Sequence, residues 1–125
     1  GYFILGLPGE TRDDVDRTIN YAIKLNLNFA SFNLPIPILG TELRENSIKN
    51  EWMLDNVNEY DGSSSPLIVT DLLSQSDLLY FKNKAYKKFY FRLSYIFNSL
   101  LRIKTFFQLK MLIIESINLL VIKEK

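Results

Sequence analysis

Four consecutive apolar residues, Tyr2-Phe3-Ile4-Leu5, stop at Gly6. An unbroken apolar run of this length predicts a strand covered on both faces. Leu7-Pro8-Gly9-Glu10 then reads as a type II turn, because proline presets φ at the second turn position and glycine tolerates positive φ at the third. Thr11 is a good N-cap, and Asp14 three residues later completes a capping box. Val15, Ile19, Ala22 and Ile23 recur at helical spacing, which predicts an amphipathic helix over 12–25. Its early acids, Asp13, Asp14 and Asp16, and its late Lys24 agree with the helix macrodipole. Asn26-Leu27-Asn28 forms a short connector, and Phe29–Leu34 predicts a second strand. Strand, helix and strand joined by short loops make a βαβ unit with parallel strands.

Further along, Pro35-Ile36-Pro37-Ile38-Leu39-Gly40-Thr41 halts regular structure where the second strand exits. A short helix is expected from Thr41 to about Ile48, with Leu43 inward. Residues 49–65 are polar and irregular, with Trp52 and Tyr60 as anchors and 61–65 as a turn-rich link. Leu67-Ile68-Val69 suits a brief edge strand. From Ser74 the pattern turns helical. Ser74 and Asp77 form a second capping box, opening a helix to about Phe91 whose inner face is Leu78, Phe81, Ala85, Phe89 and Arg92. A second helical piece covers 94–103, and Thr105 with Gln108 caps a last helix over 106–122. The expected class is α/β, with a βαβ part over 1–72 and a helical extension over 73–125.

The 125 residues suffice for one small domain, and they include neither cysteine nor histidine. Disulfides and thiolate metal sites are thereby excluded from this stretch, and proton transfer would fall to Asp, Glu, Lys or Tyr. Gly1 opens directly onto the strand pattern, with no Met and no signal-peptide pattern. The expectation is a cytoplasmic fragment whose front end is missing. Charge divides the chain. Residues 1–77 hold five Lys/Arg against twelve Asp/Glu, and residues 78–125 hold ten against two, so −7 stands beside +8. Such a split suggests two parts docked on each other or on a missing domain.

Three stretches are candidate sites. Gly6–Thr11 reads either as a ligand-facing turn, whose amides and helix N-terminus hold a carboxylate or the edge of a nucleoside, or as a tight turn and a cap alone. Pro35–Thr41 follows the neighbouring parallel strand and so opens at the same end of the sheet, as a second wall or as an ordinary strand exit. The run Lys82–Lys104 interleaves bases with aromatics, a pattern that grips nucleic acid or, more simply, packs its aromatics and solvates its lysines. No nucleic-acid partner is expected from it. Phe106–Ile122 is very apolar yet short for a membrane span, and suits a protein groove or a membrane surface.

Phe3-Ile4-Leu5-Gly6-Leu7-Pro8-Gly9-Glu10-Thr11 resembles the Gly-rich late strand of radical S-adenosylmethionine (SAM) enzymes, and Asp14–Ala22 resembles the helix after it. Phe29–Thr41, continued by Glu42-Leu43, is similar to the family's next strand and its exit loop, with Ile38 and Leu39 where the family usually has Tyr and Pro. Lys84–Arg92 resembles the basic-aromatic segment of the subgroup that adds a cobalamin-binding domain. That subgroup usually has Pro soon after the Arg, where this chain has Leu93-Ser94. The resemblance implies the C-terminal part of a partial TIM-type (β/α) barrel, followed by the helical extension. It implies SAM and a [4Fe-4S] cluster in the full-length enzyme, with cobalamin on a separate N-terminal domain as a further cofactor. Reductive cleavage of SAM would give a 5′-deoxyadenosyl radical that acts on a small-molecule or lipid-like substrate. Ile4, Leu5, Gly6, Leu7, Pro8, Gly9 and Glu10 would line the adenosine side of the SAM pocket, with Pro35 and Pro37 beside them. The cluster's CxxxCxxC motif is not in this chain, so no catalytic or metal-ligating residue is assigned and the stretch alone is expected to be inactive. Its partner would be the N-terminal part of the same enzyme. The alternative is a non-catalytic docking module whose basic helical half binds a partner protein or an anionic membrane, a peripheral contact.

Overall fold

The computed structural model describes residues 1–54, 65–102, 110–111 and 113–114. In chain order they form β1 (Tyr2–Ile4), α1 (Arg12–Lys24), β2 (Ser31–Asn33), α2 (Glu42–Lys49), α3 (Gln75–Tyr90) and α4 (Leu93–Arg102). β1 and β2 pair in parallel, with Tyr2 opposite Ser31, Phe3 opposite Phe32 and Ile4 opposite Asn33. The βαβ unit expected from the sequence is present, with strands shorter than the apolar runs suggest.

The capping chemistry forms as read. The Thr11 hydroxyl accepts the Asp14 N–H at 3.3 Å while the Asp14 carboxylate accepts the Thr11 N–H at 2.8 Å. Ser74 and Asp77 repeat the arrangement at α3, at 3.2 and 3.0 Å. The far end of α1 is closed differently. Asn26 takes φ +48°, the left-handed conformation that ends a helix, and Arg92 donates to Ile23 O at 3.1 Å and Leu27 O at 2.5 Å. A guanidinium at a helix C-terminus satisfies orphan carbonyls and opposes the dipole's negative end. Burial depresses the Arg92 pKa below its usual value.

One core lies between the sheet and α1 with α3. Val15, Ile19 and Ala22 from α1 meet Leu78, Phe81, Ala85 and Phe89 from α3, with Leu5, Ala30, Phe32 and Leu34 beneath them. Phe32 anchors it, stacked on Phe3 at 5.4 Å and edge-on to Tyr86 and Phe89 at 5.5 and 6.0 Å. Full burial of one such phenylalanine contributes roughly 1.5–3 kcal/mol. Residues from both sides of position 72 share this core. Lys84 of the basic half reaches Asp16 of the acidic half at 2.7 Å, while Arg12 and Asp77, paired at 2.6 Å between α1 and α3, both belong to the acidic half.

Three expectations are corrected. β1 is not covered on both faces: Phe3 and Leu5 turn to the core, while Tyr2 is 81% and Ile4 50% exposed. An apolar run cannot distinguish a strand buried on both faces from one with an uncovered apolar face. Leu67-Ile68-Val69 does not join the sheet; Ile68 forms an isolated antiparallel bridge with Met53. In α2 the buried residue is Ser47, not Leu43, which is half-buried. Ser47 fits because its hydroxyl donates to Leu43 O at 2.7 Å. Tyr60, the 61–64 part of the turn-rich link and the Thr105/Gln108 cap lie outside the described residues, as does most of the 106–122 helix.

Candidate functional site

Because the strands are parallel, the loops after β1 and β2 leave from one end of the sheet. The first loop is fixed by three features. Gly6 and Gly9 take φ of +87° and +89°. Glu10 N–H donates to Leu7 O at 3.0 Å, closing the Leu7–Glu10 turn predicted from Pro8-Gly9. The Glu10 carboxylate then folds back, and Oε2 accepts the N–H groups of Gly6 at 2.7 Å and Leu7 at 3.0 Å. The two amides that could have received an outside carboxylate are therefore occupied by the loop's own anion. The loop presents surface instead: the side chains of Ile4 and Leu7 and the bare backbone of Gly9 are exposed.

The predicted site residues separate into two groups. Ile4, Leu7 and Gly9 face outward, with Pro8 and Glu10 half-buried beside them. Leu5, Gly6, Pro35 and Pro37 are buried within this chain. Leu5 belongs to the core, and a Cβ on Gly6 would collide with Leu78 Cδ2. The two prolines shape the second loop from inside, and Pro37 O accepts a hydrogen bond from Arg44 at 3.1 Å. Beyond them Ile38 and Leu39 are exposed, and Gly40, at φ +78°, leads to the Thr41 cap of α2.

Sequence reasoning passed over Ser31 and Asn33. Both are half-buried on the sheet face that the helices leave uncovered, and Asn33 lies opposite Ile4 in register. The signal was the period-2 alternation Ala30-Ser31-Phe32-Asn33-Leu34, which assigns Ala30, Phe32 and Leu34 to the core and the two polar residues to the other face. Together the loops and this face supply apolar surface, one fixed carboxylate and an amide.

Several residues in the α3 part of the basic-aromatic run are engaged within the chain. Phe81 and Phe89 are buried, Tyr86 and Tyr90 reach β2, Lys84 pairs with Asp16, and Lys88 donates to the Asn20 side chain at 2.7 Å. Hydrogen bonding to Asp16 raises the Lys84 pKa above its usual value.

No family model matches the chain, and no solved structure matches it. Among curated proteins it is 36% identical over 93 residues to an uncharacterized methyltransferase of Pyrococcus horikoshii, a match covering 74% of this chain and 20% of that protein. The chain thus spans about a fifth of the relative's length.

Proposed function

We propose that this stretch is the late part of a radical SAM enzyme's half-barrel and forms the adenosine-side wall of its SAM pocket. The observation that carries the reading is the pair of loops at one end of a parallel sheet, one of them a Gly-rich turn that exposes Ile4 and Leu7 beside a self-satisfied backbone. An apolar ledge with its own amides already paired suits the face of a purine better than it suits a phosphate or carboxylate. The methyltransferase name of the Pyrococcus relative is compatible with SAM use.

Ile4 and Leu7 would pack on the adenine, and Glu10 would hold the turn. SAM bound there supplies the carbon group or the radical precursor of the reaction. An iron–sulfur cluster does not fit these residues. The chain has no cysteine, and among the described residues no group of His, Cys, Asp or Glu could hold a metal ion. No step is therefore assigned through a cluster here, and cobalamin would belong to another domain. The test is calorimetric titration of the intact protein with SAM, followed by assay for 5′-deoxyadenosine release after anaerobic reconstitution with iron and sulfide. Saturable binding and release support the reading; an intact protein that binds no SAM overturns it.

A second reading has its own observation. α4 exposes Leu93 (84%) and Phe97 on a helix with no acid, which suits an anionic membrane surface. Among the described residues no helix is long and apolar enough to cross a membrane. Co-sedimentation with anionic vesicles that salt reverses supports peripheral contact, and its absence removes it.

A further inference from the structure

The two ends of the sheet differ in charge. Both α1 and α3 run antiparallel to the strands: α1 leaves the loop after β1, and α3 sets Tyr86 against Phe32 and, one turn later, Tyr90 against Ala30. Their first turns therefore stand at the loop end, and their last turns at the opposite end. Acids follow the first turns. Asp13 and Asp14 open α1, Asp77 opens α3, Glu42 and Glu45 open α2 beyond the second loop, and Glu10 lies in the first loop. Among the described residues, the segments that reach the opposite end are 1–3, 17–30 and 78–98, and they contain no Asp or Glu. Lys24 and Lys87 are exposed there, in the last turns of α1 and α3.

Lysines in a last turn answer the helix dipole and need no further use. The apolar side chains beside them do not follow from that. Leu25, Phe29, Phe91, Leu93 and Phe97 are exposed at this end or on α4, which starts from it. Arg92 ties the surface together, donating to Ile23 O and Leu27 O on either side of Leu25. The roll of α4 is fixed as well. Tyr95 packs on Phe89 and Tyr90, with ring centroids 6.0 and 5.0 Å away, and Leu93 and Phe97 are left facing outward. Apolar surface edged by lysines matches a bilayer, whose acyl boundary takes the rings and leucines while its phosphates take the ammonium groups.

We infer that the end of the sheet opposite the two loops, together with α4, is the face by which the intact protein docks on a bilayer carrying anionic headgroups. This rests on the peripheral-membrane reading of α4 and extends it from one helix to an oriented surface that includes the C-terminus of α1. Docked in this way, the candidate site opens away from the bilayer.

The experiment is co-sedimentation of the intact protein with vesicles of equimolar phosphatidylcholine and phosphatidylglycerol, and with vesicles of phosphatidylcholine alone. The variants are Leu93→Ser/Phe97→Ser, Lys24→Ala and Leu39→Ser. All four side chains are exposed, so the fold should be retained, and thermal melts verify it. Leu39 stands in the loop after β2 and serves as the control. Wild type is expected to bind the phosphatidylglycerol vesicles in a manner that salt reverses. Partitioning should fall about tenfold or more for Leu93→Ser/Phe97→Ser and about fivefold for Lys24→Ala, with Leu39→Ser unchanged. Wild type that binds neither vesicle overturns this inference and the membrane reading of α4 with it. Loss in Leu93→Ser/Phe97→Ser but not in Lys24→Ala overturns the oriented surface and leaves α4 alone as the contact. Equal binding to phosphatidylcholine alone, or an equal loss in Leu39→Ser, also overturns the inference.

Discussion

The Tyr90 hydroxyl donates to Ala30 O at 2.8 Å across sixty residues of sequence and accepts the Ala30 N–H at 3.3 Å. Tyr86, one helical turn earlier and stacked on Tyr90, repeats the arrangement on Phe32 at 3.3 and 3.4 Å. The edge of β2 facing away from β1 is thus closed by two phenols that stand in for a third strand. The edge of β1 has no such cover among the described residues. Its bonds to β2 run through Gly1 O and Leu5 N–H, so the backbone groups of Tyr2 and Ile4 point outward.

A sheet sealed on one side and open on the other has a testable asymmetry. Tyr86→Phe and Tyr90→Phe are each expected to lower stability by about 1 kcal/mol, as loss of one hydroxyl's bonds to a partly buried backbone. Urea unfolding checks this. The isolated 125-residue stretch is expected to self-associate through β1, and Tyr2→Lys to reduce that association, because a charged edge resists strand addition. Light scattering decides the matter. A monodisperse, cooperatively melting wild-type monomer would contradict the role given to the β1 edge.

Gly6 is predicted to be irreplaceable for a reason different from that at Gly9. Both need positive φ, but only Gly6 abuts a side chain. A methyl group there would run into Leu78 Cδ2, whereas nothing lies within 4 Å of the same position on Gly9. Gly6→Ala should cost about 2–4 kcal/mol, combining backbone strain with overpacking against α3. Gly9→Ala should cost about 1–2 kcal/mol, from strain alone. Truncating the obstacle in a Gly6→Ala/Leu78→Ala pair should recover the steric part, a coupling that a double-mutant cycle measures.

The comparison of these two glycines shows how far the sequence carried. Local chemistry was legible: Pro8-Gly9 specified its turn, Thr11/Asp14 and Ser74/Asp77 specified their caps, and the spacing of Val15, Ile19 and Ala22 specified the buried face of α1. What depended on distant partners was not. Gly6 read as a strand end because Leu78 is 72 positions away, and Arg92 read as an inner-face helix residue although it leaves α3 to close α1. At the candidate site, the exposed Ile4 and Leu7 could be named from the motif. That Glu10 occupies the loop's amides could not, since a carboxylate four residues on is as easily a solvated helix-start acid.

Acid should loosen both capped helices in a defined window. The Thr11 hydroxyl and N–H, with Arg17, hold Asp14 near a pKa of about 2 against an ordinary 3.8, and Ser74 similarly lowers Asp77. A carboxylate with a depressed folded pKa stabilises the native state above its unfolded pKa and loses that contribution as pH falls through the folded value. Stability is therefore expected to be flat above pH 5 with respect to these groups and to decline between about pH 4 and pH 2. Asp14→Asn should lower stability at neutral pH and flatten the decline. Urea midpoints measured across that range test it; an Asp14→Asn profile parallel to wild type would show that the capping carboxylate does not set the acid limb.

Glu10 provides the last prediction, because it joins the fold of the loop to its proposed use. Its Oε2 bridges the Gly6 and Leu7 amides, and a charged acceptor on two backbone donors pins the backbone from which Leu7 projects. Glu10→Ala should release both amides, so their hydrogen exchange in the intact protein should accelerate about tenfold or more, equivalent to at least ~1.4 kcal/mol of lost local protection. Glu10→Gln retains one acceptor oxygen and should fall between the two. Exchange at Ile19 and Ala22, in the core of α1, should not change. If SAM lies on Ile4 and Leu7, its affinity should fall in the same order, Glu10→Gln before Glu10→Ala, because the ledge loses its fixed geometry and no direct contact. Amide exchange that is unchanged in Glu10→Ala would mean that the turn is held by Pro8-Gly9 alone.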